Sequence, residues 1–365
     1  MLYYRYRPFS ELTMKELLYD ELFFASAEEC NDPYEGFPFI VFEPDREKWK
    51  CLLEFAWPKS VLEKYQDGFV DYLCSLGNLN LKEFMAMDFL NVYLDDAEDS
   101  RSDFIFAIAL LKSCLNSYTF QKKYFVSFSR SSENYLMWSH YADQHRGFCL
   151  IFRSQDGTLS QRSDSLKSKL TFDNLTISVP EHFTFKNVEY CENVKTVSAF
   201  DSFPADVCKK YSFESEEERL KFLNSMDHYF LEKSIWWEYE QEVRLLLAAP
   251  RACYAGRIEL SKTHRLLHYD PTQLVGIIFG SRTTENAKNR IMELVSDKRL
   301  MLARNSDLKG SPNIFMFFQA KMSNFERQLD IIPLGGNSAG DFIKPETLCF
   351  KNFYRQWNLI CDKGL

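Results

Sequence analysis

Residues 236–247, Trp-Trp-Glu-Tyr-Glu-Gln-Glu-Val-Arg-Leu-Leu-Leu, constrain the fold more than any other stretch. Nine of them crowd together three carboxylates, three aromatics and an arginine before the chain turns apolar. Side chains alternate across a strand, so a strand here puts Glu238, Glu240, Glu242 and Arg244 on one face. Two acids two positions apart on a rigid strand can share one cleft. Such a pair raises at least one of its pKa values unless a cation or water relieves it. Glycosidic-bond chemistry uses paired carboxylates of this kind. The competing reading is a solvated strand face on which Arg244 pairs with Glu242. Taken alone, the stretch favours that second reading.

The flanking chain supplies possible partners. Residues 2–7 form a strand ended by Pro8, with Tyr3, Arg5 and Arg7 on one face and Leu2, Tyr4 and Tyr6 on the other. Guanidinium groups on a first strand suit an anion-holding cleft as well as a solvated edge. A helix follows to about Asp20, with Ser10 or Thr13 at its start and Glu16 in capping-box position from Thr13. Leu22–Ser26 is a short strand, and Asn31-Asp32-Pro33 marks a turn whose Asn31 and Glu35 suit a cleft rim. Residues 45–120 carry apolar residues at spacings of three and four, broken at Pro58, and predict an α-helical insertion.

Tyr124–Ser129 is a strand that sets Ser127 and Ser129 side by side, where two small hydroxyls can line a pocket. A helix over 132–143, capped by Ser131 or Ser132, carries Tyr135, Leu136, Trp138 and Tyr141. Its neighbours His140 and His145 read as structural donors. Phe148–Phe152 is a continuous apolar run and predicts a central strand. Residues 153–180 read as a polar excursion, Phe183–Tyr190 as a strand, and Glu216–Ser234 as a charged helix leading into the acid-rich stretch. Further strands are expected at Arg257–Leu260, Leu274–Gly280 and, as the last, Asn313–Lys321, with a helix at Thr284–Val295. The tail from Pro333 reads as irregular. The expected organisation is one α+β domain over 1–330, containing the 45–120 insertion, with 331–365 as an extension packed on it.

Totals narrow the functions. A net charge of −8 argues weakly against a large nucleic-acid footprint, which usually needs a basic surface, and leaves room for a local basic cleft. Ten scattered cysteines form no C-x-x-C and no zinc spacing, which fits reduced thiols in a cytoplasmic protein. No metal is expected, and no apolar run is long enough to span a membrane.

Two resemblances then appear. Asn31-Asp32-Pro33-Tyr34-Glu35, Phe128-Ser129, Met137-Trp138-Ser139-His140-Tyr141-Ala142, His145-Arg146-Gly147-Phe148 and Trp237–Arg244 resemble the bacterial domain-of-unknown-function family 2971, over roughly residues 2–280. The order Arg5, Ser127-Phe128-Ser129, Glu240-Gln241-Glu242 is similar to the ADP-ribosyltransferase superfamily, in its Arg / Ser-x-Ser / Glu-x-Glu class. Phe128 stands where that superfamily often has threonine, and Arg5 rather than Arg7 is chosen by position.

That second resemblance implies a split, mixed or antiparallel β-sheet core and NAD as substrate. Glu242 would stabilise the oxocarbenium-like charge formed as nicotinamide leaves, and Glu240 would orient or deprotonate the acceptor. Arg5 would hold the pyrophosphate, and Ser127 and Ser129 would support the arginine and the ribose. Tyr141 or Trp138 would stack on nicotinamide. It implies an NAD-dependent ADP-ribosyltransferase or NAD glycohydrolase in a toxin or phage-defence setting. The acceptor, protein or nucleic acid, stays open, and the helical insertion is large enough for a partner or inhibitor. The alternative is a nucleotide- or partner-binding sensor on the same fold, with Arg244 neutralising Glu242 and Glu240 facing solvent. A third, weaker idea is a nuclease whose acids hold a divalent ion.

Overall fold

A computed structural model describes residues 1–32, 34–35, 39–89, 101–118, 122–154, 156–172, 175–193, 196–203, 215, 217–218, 221, 226–249, 251–252, 256–257, 259–304, 314–325, 328–338 and 340–361. Its centre is a mixed sheet of nine strands. In chain order these are β1 (Leu2–Arg7), β2 (Lys123–Ser129), β3 (Phe148–Arg153), β4 (Lys186–Asn187) and β5 (Glu242–Ala248). They continue with β6 (Leu274–Phe279), β7 (Ile314–Met322), β8 (Leu329–Ser338) and β9 (Asp341–Ile343). Across the sheet they run β4-β5-β2-β1-β3-β6-β7-β8-β9. Only β6 and β7 are parallel neighbours; the other registered pairs are antiparallel.

The apolar runs explain the centre. Every residue of β6 is buried, as is β3 up to its last residue, and strands covered on both faces need such continuous runs. β1 and β3 are registered along their whole length, from Leu2 opposite Arg153 to Arg7 opposite Phe148. β5 and β2 are registered from Glu242 opposite Ser129 to Ala248 opposite Lys123. Between β1 and β2, however, a single pair is registered, Tyr4 opposite Ser129. The two halves of the sheet are therefore hinged at one point, and Ala25 bridges Phe125 farther along β2.

Both faces of the sheet are covered. One packs Tyr3, Val126, Phe128, Leu150, Ile277 and Phe317 against helix α1 (Glu11–Tyr19) and the later helix over residues 285–304. Ser10 caps α1 in a box closed by Thr13, so Ser10 and not Thr13 is the start, and Glu16 is left to pair with Arg7. Helices α2 (Arg46–Ala56), α3 (Lys59–Ser75), α4 (Leu81–Ala86) and α5 (Arg101–Tyr118) form the expected helical segment, with Pro58 at the N-terminus of α3. The segment is not purely helical. Phe39–Phe42 pairs with Leu79–Asn80 and with the distant Thr196–Ser198, and Phe200 meets Phe42 and Trp49 edge-on in a core separate from the sheet's.

On the opposite face, helix α6 (Tyr135–Tyr141) and the C-terminal helix pack Trp138 and Trp357 beside Tyr6, Cys149, Ile278 and Phe318. Asn134, not Ser131 or Ser132, caps α6, accepting from the Leu136 and Met137 amides. Helix α7 (Glu285–Arg304) is nine residues longer than its expected end at Val295. Residues 313–321 do not hold the last strand: the tail adds β8, β9 and helix α8 (Phe350–Ile360). Pro333 sits inside β8 where the register with β7 shifts, an irregularity that accommodates a residue without an N–H. The expected helix over 216–234 is replaced at its described end by a 3-10 turn, Met226–Phe230, and a short strand, Glu232–Ser234. Leu220 and Leu223 lie outside the described residues. Among the described residues, no helix is long and apolar enough to cross a membrane.

Candidate functional site

A cleft of about 480 Å3 opens at the hinge between β1 and β2. Arg5, Ser127, Ser129, Tyr141, Glu240 and Glu242 all border it, together with Asn31, Glu35 and Lys233. The acid-rich stretch does not reach it as one strand. Ile235–Glu240 is a 3-10 turn, and Gln241 takes a left-handed backbone at φ 45 and ψ 49 before β5 begins at Glu242. Glu238, Glu240, Glu242 and Arg244 therefore do not share a strand face; only Glu242 and Arg244 do. Glu238 is exposed, while the Gln241 turn brings Glu240 back beside Glu242.

Register assembles one side of the cleft. Ser129 stands opposite Glu242, and Ser127 opposite Arg244. Since Val126, Phe128, Val243 and Leu245 fill the core on one face, alternation turns Ser127, Ser129, Glu242 and Arg244 to the other. Ser127 is exposed into the cleft. Ser129 is buried and committed: its hydroxyl donates to the Glu240 carbonyl at 2.7 Å and accepts from the Ser131 amide at 3.1 Å. It holds the turn that carries Glu240.

The carboxylates meet in a buried charge cluster. Arg244, fully buried, donates from Nε and Nη2 to the two Glu242 oxygens at 2.7 and 2.8 Å, and from Nη1 to the Phe230 carbonyl at 2.7 Å. Its Nη2 also pairs with Glu35. Lys233 donates to Glu240 Oε2 at 2.6 Å and Glu242 Oε2 at 3.2 Å, and lies 3.5 Å from Glu35. Tyr141 donates to Glu240 Oε1 at 2.5 Å and accepts from Asn31 Nδ2 at 3.2 Å. Glu240 is thus buried, not solvent-facing. Burial raises the Glu242 carboxyl to about 7; Lys233 and a hydrogen bond from Ser127 pull it down, and the Glu240 charge pushes it up. Burial also raises the Tyr141 hydroxyl, with Glu240 adding to the effect, so Tyr141 stays a donor. Burial opposes the Lys233 charge, yet Glu242 and Glu240 outweigh it and raise its pKa. Glu35, Glu240 and Glu242 meet two cations here, the buried Asp32 also acts on Arg244, and this excess of acids over cations agrees with the raised Glu242 carboxyl.

Arg5 borders the cleft from β1 but shares its strand face with Tyr3 and Arg7. Its guanidinium approaches Glu16 of α1 only to 4.0 Å, whereas Arg7 makes a 2.6 Å contact with the same carboxylate. Burial, followed by the neighbouring Arg7 charge, lowers Arg5 to about 10. Arg7 is the neutralised member of the pair and Arg5 the less compensated one. Trp138 is removed from contention as a stacking ring: it is fully buried and its indole N–H donates to the Ser132 carbonyl. His140 lines the cleft from its exposed side, and His145 contacts Ser139 away from it. No group of three or more His, Cys, Asp or Glu among the described residues is arranged to hold a metal.

Two contributors were not anticipated. Lys233 lay in a stretch read as helix, and no local signal pointed it at residues 240 and 242. Glu35 was placed only at a rim, whereas it is buried against Arg244. Its partner is 209 positions away, beyond the reach of any spacing argument.

Comparison with known proteins gives one match, to part of the chain. Residues 137–245 match the family described as Protein of unknown function (DUF2971). The matched region runs from Met137 in α6 to Leu245 in β5, so it carries Tyr141, Lys233, Glu240, Glu242 and Arg244. It is narrower than the expected 2–280, leaving out Asn31–Glu35 and Phe128-Ser129. No curated protein and no solved structure matches the chain.

Proposed function

We propose that the cleft binds NAD and breaks its nicotinamide–ribose bond, transferring ADP-ribose to a macromolecular acceptor or to water. The observation that carries this reading is the juxtaposition at the hinge. Ser127 and Ser129, paired in register with Arg244 and Glu242, meet the strand bearing Arg5 at the single Tyr4–Ser129 pair. Arg5, Ser127, Ser129 and Glu242 thus come from three adjacent strands, Glu240 comes from the turn just before the third, and all five border one cavity.

The electrostatics suit a dipolar ligand. The carboxylate cluster, once Glu242 has lost its proton, would face the cationic nicotinamide ribose, and the less compensated Arg5 would turn from Glu16 to the pyrophosphate. As the C1′–N bond breaks, its electron pair leaves with neutral nicotinamide and positive charge spreads over the ribose. Glu242 would stabilise that charge and accept a hydrogen bond from a ribose hydroxyl. Ser127, exposed in the cleft, would contact the ribose. The acceptor, or water, adds at C1′ and passes its proton to Glu240. Tyr141 would act through its hydrogen bond to Glu240.

The test is direct. Purified protein given NAD should release nicotinamide, and E242Q should stop it. Release that persists in E242Q would remove Glu242 from the site. A second reading, a nucleotide- or partner-binding module without turnover, is favoured by one observation: the two-point contact of Arg244 with Glu242. It predicts NAD binding by calorimetry with no nicotinamide released.

A further inference from the structure

The two carboxylates of the Glu-x-Glu pair are buried, lie in one cluster and share one ammonium. Lys233 Nζ is 2.6 Å from Glu240 Oε2 and 3.2 Å from Glu242 Oε2. Its side chain is 3% exposed, so water does not substitute for it. Arg244 cannot serve in its place, because its guanidinium is used on Glu242, Glu35 and the Phe230 carbonyl. Two features fix Lys233 here. Glu232–Ser234 pairs in parallel with Glu189–Cys191, and the ammonium lies 4.9 Å from the centre of the Trp237 ring, inside the turn that carries Glu240.

We propose that Lys233 is a positioning residue, whose ammonium holds Glu240 and Glu242 side by side as two carboxylates, so that one faces the ribose and the other stays free to take the acceptor's proton. This rests on the NAD reading for the roles of the carboxylates, but not for the pairing itself. Without Lys233 the cluster would hold three carboxylates against Arg244 alone. Two like charges in a buried cleft then cannot both persist, and one carboxyl of the pair takes up a proton. A protonated member can neither accept the acceptor's proton nor stabilise positive charge.

The other charged or titratable groups facing this ammonium are Glu35 from the 31–35 turn, Tyr141 from α6, and Cys30. Tyr239 lies on the same turn as Glu240, and Tyr190 on the paired strand accepts from the Glu242 amide. None of them supplies a second cation.

The experiment uses the full chain with 13C-labelled glutamate carboxyls, titrated in the native protein, K233Q and K233R, with E240Q and E242Q to assign the pair. In K233Q one carboxyl of the pair should titrate at least about one unit higher, a tenfold change in its proton affinity. K233R, which keeps the charge, should restore the native titration. An unchanged titration in folded K233Q overturns the proposal. In the NAD assay, K233Q should lose about fivefold in transfer at pH 7 for a one-unit rise from about 7, and recover it as pH rises. A loss equal at every pH marks a merely structural lysine and also overturns it.

If K233Q does not fold, K233Q/E240Q removes one charge of each sign and should fold, with the Glu242 titration returned to its native range. Failure of that pair to fold sinks the charge-sharing role. Should the native protein release no nicotinamide, the function reading falls, while the carboxyl titration still decides the role of Lys233.

Discussion

Glu242 separates the readings most cleanly. It is fully engaged, by Arg244 on both oxygens and by Lys233 on one, so replacement by Gln removes a charge without removing bulk. A carboxylate that stabilises developing charge is worth about 10^2 to 10^3 in rate, by analogy with single oxyanion-hole donors. Nicotinamide release in E242Q is therefore expected to fall at least about 10^2-fold. The same residue sets a pH dependence. Its raised carboxyl must lose its proton to act, so release should climb with pH through about 7. Removing the Glu240 charge relieves one upward push on Glu242. The acid limb of E240Q should therefore move to lower pH, and transfer to an acceptor should suffer more than release. A limb that stays put in E240Q would uncouple the two residues. At the anion end, R5A should raise the KM for NAD and R7A should act mainly through stability, because Arg7 already holds Glu16 at 2.6 Å. Steady-state kinetics alongside thermal unfolding distinguishes the two.

At the scale of elements, the decisive feature is the turn at Gln241. A strand with acids at 238, 240 and 242 would have splayed them along one face; a 3-10 turn closed by a left-handed residue folds two of them onto one lysine. Glycine adopts that conformation freely and β-branched residues do not, at about 1–2 kcal/mol for a left-handed L-residue. Gln241 already carries that cost, so Q241G should hold or raise Tm and keep nicotinamide release close to native. Q241V, β-branched and less tolerant of positive φ than glutamine, should lower stability and lose release, because Glu240 is drawn off Lys233. Equal behaviour of the two variants would mean that the turn does not position the acid. Gln241 also shows where sequence patterning stops. Alternation marks β1 and β2, and continuous apolar runs mark β3 and β6. Alternation misplaces residues 236–240, because glutamine carries no warning of a positive φ. It missed Lys233 and Glu35 because both act across the fold, through strands paired far apart in the chain. It also ended the sheet too early, since Pro333 and Gly335-Gly336 argue against a strand unless the partner has an irregularity to receive them. Here β8 shifts register between Phe317 and Phe318, and Gly336 lies so close to Phe353 of α8 that a Cβ would clash with the ring.

At the scale of the whole molecule, the helical segment and the sheet are built on different cores. Trp49, Leu52, Phe69, Phe84, Phe104 and Leu111 pack with one another and with Phe200, and none belongs to the clusters on either face of the sheet. The cleft, in contrast, draws its carboxylates and serines from the sheet and the turns beside it. Damage to the helical core should therefore be local in its effect. Leu52 is fully buried between α2 and its neighbours, and truncating such a side chain costs about 2–5 kcal/mol. In L52A, native-state hydrogen exchange should show amides of α2, α3 and α5 opening at lower free energy, while β1, β3 and β6 keep their native protection. Nicotinamide release should persist at temperatures where the helical segment has already lost protection. The strand Phe39–Phe42 is the sensitive point, because it pairs with Thr196–Ser198 and follows closely after Glu35. If release fell together with helical protection, the loss would run through that strand to Glu35 and Arg244, and E35Q in the native background should then reproduce it without any change in the helical amides.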